Sequence, residues 1–109
     1  MTKYKVHCIE LSTRKNLEDW IEYICIKDDT NKETKITQDE AIKKIENGDV
    51  IYIDKDDLSN PEGNEIVLKI ESTNTPLNKR YIHTPKDGTL YNFYMKGGNC
   101  ASRTMTLIN

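Results

Sequence analysis

Apolar residues along the chain follow two rhythms. From Tyr4 to Leu11, Val6 and Cys8 alternate with Lys5 and His7, the period of two that a half-buried strand requires. Ser12 to Asn16 reads as a polar turn. From Trp20 to Ile26, one face carries Trp20, Glu22, Ile24 and Ile26, and the other Ile21, Tyr23 and Cys25. Both faces are largely apolar, which predicts a central strand covered on each side, with Trp20 in the core. Asp28 to Lys35 reads as a charged hairpin or loop.

The rhythm then lengthens to that of a helix. Thr37 is the predicted N-cap, and Glu40 stands at the capping-box spacing behind it. Ile36 can staple against Ala41, while Ala41, Ile42 and Ile45 form one apolar stripe. Gly48 ends the helix as a left-handed residue. A helix of about ten residues is marginal alone, so the stripe must pack on a sheet.

Four more elements follow. Val50 to Ile53 reads as a short strand, then Asn60-Pro61-Glu62-Gly63 as a turn. Glu65 to Ser72 reads as one amphipathic strand with Ile66, Leu68 and Ile70 inward. A loop surrounds Pro76, Lys79 to Thr84 is a strand, Pro85 to Gly88 a turn, and Leu90 to Met95 an aromatic last strand. The predicted class is α+β: a mostly antiparallel sheet of five or six strands with one helix, in the order β-β-α-β-β-β. Residues 1–95 form the expected single domain. Residues 96–109 are an expected tail, hinged at Gly97-Gly98.

Composition sharpens the picture in two places. The net charge is −2, which excludes a strong nucleic-acid footprint or attraction to an anionic membrane. Yet residues 79–109 carry +4 against −6 for residues 1–78, so the last third is a basic segment on an acidic protein. Three cysteines, Cys8, Cys25 and Cys100, lack CxxC spacing. An odd number without that spacing argues against a disulfide framework and a cysteine zinc site. No run approaches a membrane span and Met1 to Tyr4 lack a signal core, so the expected location is a reducing cytoplasm.

Tyr81-Ile82-His83-Thr84-Pro85-Lys86-Asp87-Gly88, followed by Asn92, resembles the ending of a family of short bacterial and phage proteins, domain of unknown function three-eight-nine-two. That ending is a Tyr-Ile-x-Thr-x-x-Asp-Gly run and then Asp-Asn-Leu-Leu. The likeness spans roughly residues 4–95; Trp20-Ile21 stands where the family has His-Ile, and Thr37 to Gly48 is similar to its helix. Tyr91 and Phe93-Tyr94 depart from it, standing where the family has Asp and Leu-Leu. The resemblance implies a fold and transfers no catalytic residue. The many Ile, Lys and Asn residues also fit an AT-rich bacterial or phage genome.

Four groupings are candidates for chemistry. Asp54 to Glu65 has acidic residues at positions one, three and twelve of a calcium loop. It has Ser59 where Gly is needed, and reads as a solvated acidic turn. His83, Asp87 and Cys100 could form a base, its orienter and a nucleophile, although a strand-edge imidazole is the plainer reading of His83. Gly97-Gly98-Asn99 with Ser102-Arg103-Thr104 could form an anion nest, but matches no phosphate loop. Aromatic residues interleaved with cations in the last third carry more weight, because rings stack on bases while cations neutralise phosphate.

These readings predict a non-catalytic binding or protein-interaction module with no cofactor and no metal. The alternative is binding or sequestration of a nucleotide-like ligand by the basic, aromatic third, in a phage or mobile-element protein. The candidate ligand-binding residues are Arg80, His83, Asp87, Tyr91, Asn92, Tyr94, Lys96 and Arg103. A homodimer through an edge strand or the tail is a further expectation.

Overall fold

A capping box opens helix α1 (Gln38–Glu46). The Thr37 hydroxyl accepts from the Glu40 amide at 3.2 Å, and the Glu40 carboxylate accepts from the Thr37 amide at 2.8 Å. The reciprocal pair satisfies two amides that a helix start leaves orphaned. Gly48, at φ +97°, follows the C-cap Asn47 as predicted. The computed structural model describes residues 1–12, 20–72 and 80–107, with side chains as far as Arg103. The turn expected at Ser12 to Asn16 lies largely outside these residues, and the loop around Pro76 lies wholly outside them.

The helix seats Ala41 and Ile42, both buried, on a five-stranded sheet of order β3-β2-β1-β4-β5. The strands are β1 (Lys3–Leu11), β2 (Ile21–Lys27), β3 (Glu33–Thr37), β4 (Val50–Ile53) and β5 (Ile66–Val67). Neighbours run antiparallel except β1 with β4, which are parallel because α1 carries the chain across the sheet between β3 and β4. A second, two-stranded sheet pairs β6 (Lys69–Ser72) with β7 (Arg80–His83) and packs on the same helix. The α+β class and the mostly antiparallel pairing agree with expectation. The core joins Val6, Ile9, Ile24, Ile26, Ile51, Ile53, Leu68 and Phe93, each no more than 1% exposed.

Four elements differ from the sequence reading. Part of the loop assigned to Asp28–Lys35 is strand β3. Its Lys35 lies over the Tyr23 ring and pairs with Glu10, so a charged residue serves an edge strand. The run Glu65–Ser72 is two strands, not one. Leu68, 1% exposed, sits at the corner and donates its amide to Ile51, so β5 and β6 belong to different sheets.

The expected aromatic strand Leu90–Met95 is instead helix α2 (Thr89–Phe93), continued by a kinked turn through Gly98. Gly88, at φ +84°, turns the chain and accepts from the Asn92 amide. Helical spacing then separates residues that a strand would align. Phe93 is fully buried, while Tyr91 and Met95 are 50% and 58% exposed. Among the described residues there are therefore two α-helices where one was expected, and a 3-10 helix follows at Cys100–Leu107. Finally, β1 carries a bulge at His7, which places Cys8 opposite Cys25 while Val6 faces Ile26.

Residues 97–103 lie along the far half of β1. Asn99 forms a parallel bridge with Ile9, beyond the point where β4 leaves that edge. Here Gly98 meets Phe93 so closely that a Cβ would fall 2.6 Å from the Phe93 carbonyl oxygen.

Candidate functional site

A cavity of about 80 Å³ opens where both sheets, α1 and α2 converge. Its floor is aliphatic, from Ile9, Leu11 and Ile21, and its wall is aromatic, from Trp20, Tyr81 and Tyr91. Trp20 and Tyr81 stand with ring centroids 6.3 Å apart, tilted by 52°. Tyr81 in turn meets the His83 ring edge-on at 6.2 Å. Trp20 is half-buried, at the cavity mouth rather than in the core.

Gln38 is the buried polar group of this wall. Its amide nitrogen donates to the Ile21 carbonyl at 3.2 Å, and its oxygen accepts from the Ile82 amide at 2.7 Å. The side chain thus stitches the two sheets together with its strongest donor and acceptor already engaged. The cavity therefore offers contact area and ring faces more than hydrogen bonds.

The eight sequence candidates scatter. Tyr91 lines the cavity and His83 touches its wall through Tyr81. Arg80 is exposed on β7 and paired with Glu46 of α1. Asp87, Asn92 and Lys96 are exposed, and Tyr94 is half-buried against the core.

Arg103 has a different role. Its Nε donates to the Gly97 carbonyl at 2.7 Å, and Nη1 donates to the His7 carbonyl at 2.6 Å and to Asp57 at 2.9 Å. Nη2 donates to the other Asp57 oxygen at 2.7 Å and to the Ser59 hydroxyl at 2.5 Å. All five guanidinium N–H groups are spent inside the protein, so none is left for a phosphate. The guanidinium also lies 5.5 Å from the Phe93 ring centroid. The supposed anion nest is short of donors: the Ser102 amide is spent on Asn99, and Gly98 is buried against Phe93.

Asp57 corrects the reading of its segment as a solvated turn. Burial alone would raise its carboxyl. The hydrogen bonds from Arg103 and from the Ser59 hydroxyl and amide outweigh that and hold it at about 2. His7, beside this knot, is pushed below its usual range by burial and by Lys27, with Glu33 opposing.

The cysteines depart furthest from expectation. Cys8 is disulfide-bonded to Cys100, with Cα atoms 4.8 Å apart, across 92 positions of sequence. The odd cysteine count had pointed away from any such bond. It did so because the third cysteine, Cys25, is a buried free thiol in the same place, its sulfur 4.0 Å from that of Cys100. Cys100 is therefore bonded rather than poised as a nucleophile, and the described contacts of His83 lie with Tyr81 instead.

Among the described residues, no helix is long and apolar enough to cross a membrane. Comparison with protein-family models, with curated proteins and with solved structures finds no match for this chain.

Proposed function

We propose that the protein is a non-catalytic interaction module that accepts one apolar or aromatic side chain of a partner polypeptide in the cavity walled by Trp20, Tyr81 and Tyr91. The carrying observation is the combination of an aromatic wall with a buried amide, Gln38, already bonded on both sides. At about 80 Å³ the cavity is small. Typical small-molecule sites enclose roughly 300–1,000 Å³, so a single anchoring side chain suits it better than a whole nucleotide.

Two other expectations gain less support. A nucleotide needs cations for its phosphates, but Arg103 is saturated and Arg80 is paired with Glu46. Homodimerisation by strand pairing needs an open edge. One edge of the large sheet is β3, carrying Glu33 and Lys35, and the other is β5, two residues long; both features discourage strand addition. Recognition through the cavity remains the stronger reading.

Trp20 is the chain's one tryptophan and lines the cavity, so its fluorescence reports occupancy. N-acetyl-leucinamide and N-acetyl-phenylalaninamide, at millimolar concentration, should perturb Trp20 emission and the NMR methyl signals of Leu90. Leu90→Phe, which fills the cavity from α2, should abolish the response while keeping the melting temperature. No response from the wild type, or an undiminished one from the filled variant, would refute the proposal.

A further inference from the structure

Three elements far apart in sequence each deliver one sulfur to one place. The His7 bulge puts Cys8 of β1 opposite Cys25 of β2. The bridge between Asn99 and Ile9 then lays Cys100 beside both. All three sulfurs lie within 4.8 Å of one another. Cys8 and Cys25 are 2% and 7% exposed, and Cys100 is half-buried, so the cluster is sheltered yet reachable from one side. A structural disulfide needs two sulfurs, and this cluster holds three.

We propose that, once the Cys8–Cys100 disulfide is reduced, Cys8, Cys25 and Cys100 together bind one thiophilic monovalent cation of the Cu⁺ type in three-coordinate geometry. Thiolates around a metal at about 2.3 Å, in a trigonal plane, stand about 4.0 Å apart. Cys25 and Cys100 are already at 4.0 Å. Opening the disulfide lets Cys8 move to a similar distance by side-chain rotation.

The donor set selects the ion. No histidine, aspartate or glutamate joins the three sulfurs among the described residues. Structural Zn²⁺ sites close with four protein ligands, so a set of three sulfurs alone suits Cu⁺, which thiolates also favour. The chemistry balances as follows. A dithiol or phosphine reductant supplies two electrons, and two protons convert the disulfide to two thiols. Binding of Cu⁺ then forms three copper–sulfur bonds and releases three protons to solvent.

The full-length chain, reduced with a phosphine and desalted without oxygen, should hold one equivalent of Cu⁺ against a chromophoric Cu⁺ chelator. It should retain Zn²⁺ far more weakly. Copper should slow iodoacetamide alkylation of all three cysteines relative to the metal-free reduced chain, as read by mass spectrometry. Cys25→Ser should keep the Cys8–Cys100 disulfide when oxidised. When reduced, it should lose copper affinity by more than roughly 100-fold, beyond what a change outside the ligand set costs. Equal copper binding by Cys25→Ser, unslowed alkylation of Cys25 in the copper-loaded wild type, or failure of the reduced wild type to bind one equivalent would each overturn the site. The copper stoichiometry of the reduced wild type needs no variant, so it remains decisive if the substitution impairs folding.

Discussion

Replacing Arg103 by methionine should cost about 3 kcal/mol of stability, because it strands a carboxylate that the fold has removed from water. The Asp57 side chain is 12% exposed and that of Arg103 20%. Removing one partner of such a pair typically costs about 3–5 kcal/mol, most of it the penalty of the charge left behind. For a domain of this size the melting temperature should fall by roughly 10–20 °C. The variant also leaves the carbonyls of His7 and Gly97 without their donor. The double variant Arg103→Met/Asp57→Ala should be less damaged than the two single losses summed, since no buried charge remains. A loss below about 1 kcal/mol for Arg103→Met would mean that the knot is surface decoration.

The same pair sets the acid limit of the protein. The folded Asp57 titrates at about 2, below its ordinary 3.8. The difference is worth about 2 kcal/mol at neutral pH, since each pKa unit is about 1.36 kcal/mol. A depressed carboxyl means the unfolded chain takes up its proton first. The contribution is therefore full above about pH 5 and drains away as pH falls toward 2. His7, whose folded form also resists protonation, adds a smaller loss that begins as pH drops through the ordinary histidine range. Urea midpoints measured from pH 7 to 2 should decline slightly through the histidine range first, and then more steeply below about pH 5. Arg103→Met should flatten the lower limb, and an equally steep limb in that variant would assign the acid loss to other carboxylates.

What was legible in the sequence was local. Thr37, Glu40 and Gly48 bracket α1 because capping and left-handed termination are decided within a few residues. The period-two run of β1 and the apolar run of β2 stand out for the same reason. The reading failed where a distant contact decides. Tyr91, Phe93 and Met95 alternate like a strand and two of them carry strand-forming rings, yet Gly88 turns the chain and burial of Phe93 beneath Gly98 and Arg103 draws it into a helix. Glu65–Ser72 keeps Ile66, Leu68 and Ile70 in one period-two register, and only the Leu68–Ile51 hydrogen bond marks the corner between two sheets.

The site was legible in part. Of the eight candidates only Tyr91 lines the cavity; Tyr81 joins it from β7 and Trp20 from just before β2. Arg103 looked like a free cation because its partner Asp57 is 46 positions away. Likewise, no spacing rule connects Cys8 and Cys25 to Cys100; their meeting depends on a one-residue bulge and a bridge that only the folded chain possesses.

Phe93 is where these distant contacts converge, and its truncation should be the other large loss. Phe93→Ala should cost about 3–5 kcal/mol, the usual range for removing a fully buried ring. The chain's one phenylalanine is 0% exposed, with Gly98 against one side and the Arg103 guanidinium over its face. Gly98→Ala attacks the same joint from outside. Its Cβ would fall 2.6 Å from the Phe93 carbonyl, so backbone must shift, and an overpacking cost of about 1–3 kcal/mol follows. The two changes should not add, because a missing ring frees part of the space the methyl needs while the carbonyl still obstructs it. Denaturant midpoints with unchanged m-values would read these losses cleanly. Strictly additive losses would mean that α2 and the C-terminal segment are held independently, by the disulfide and the Asp57 knot alone.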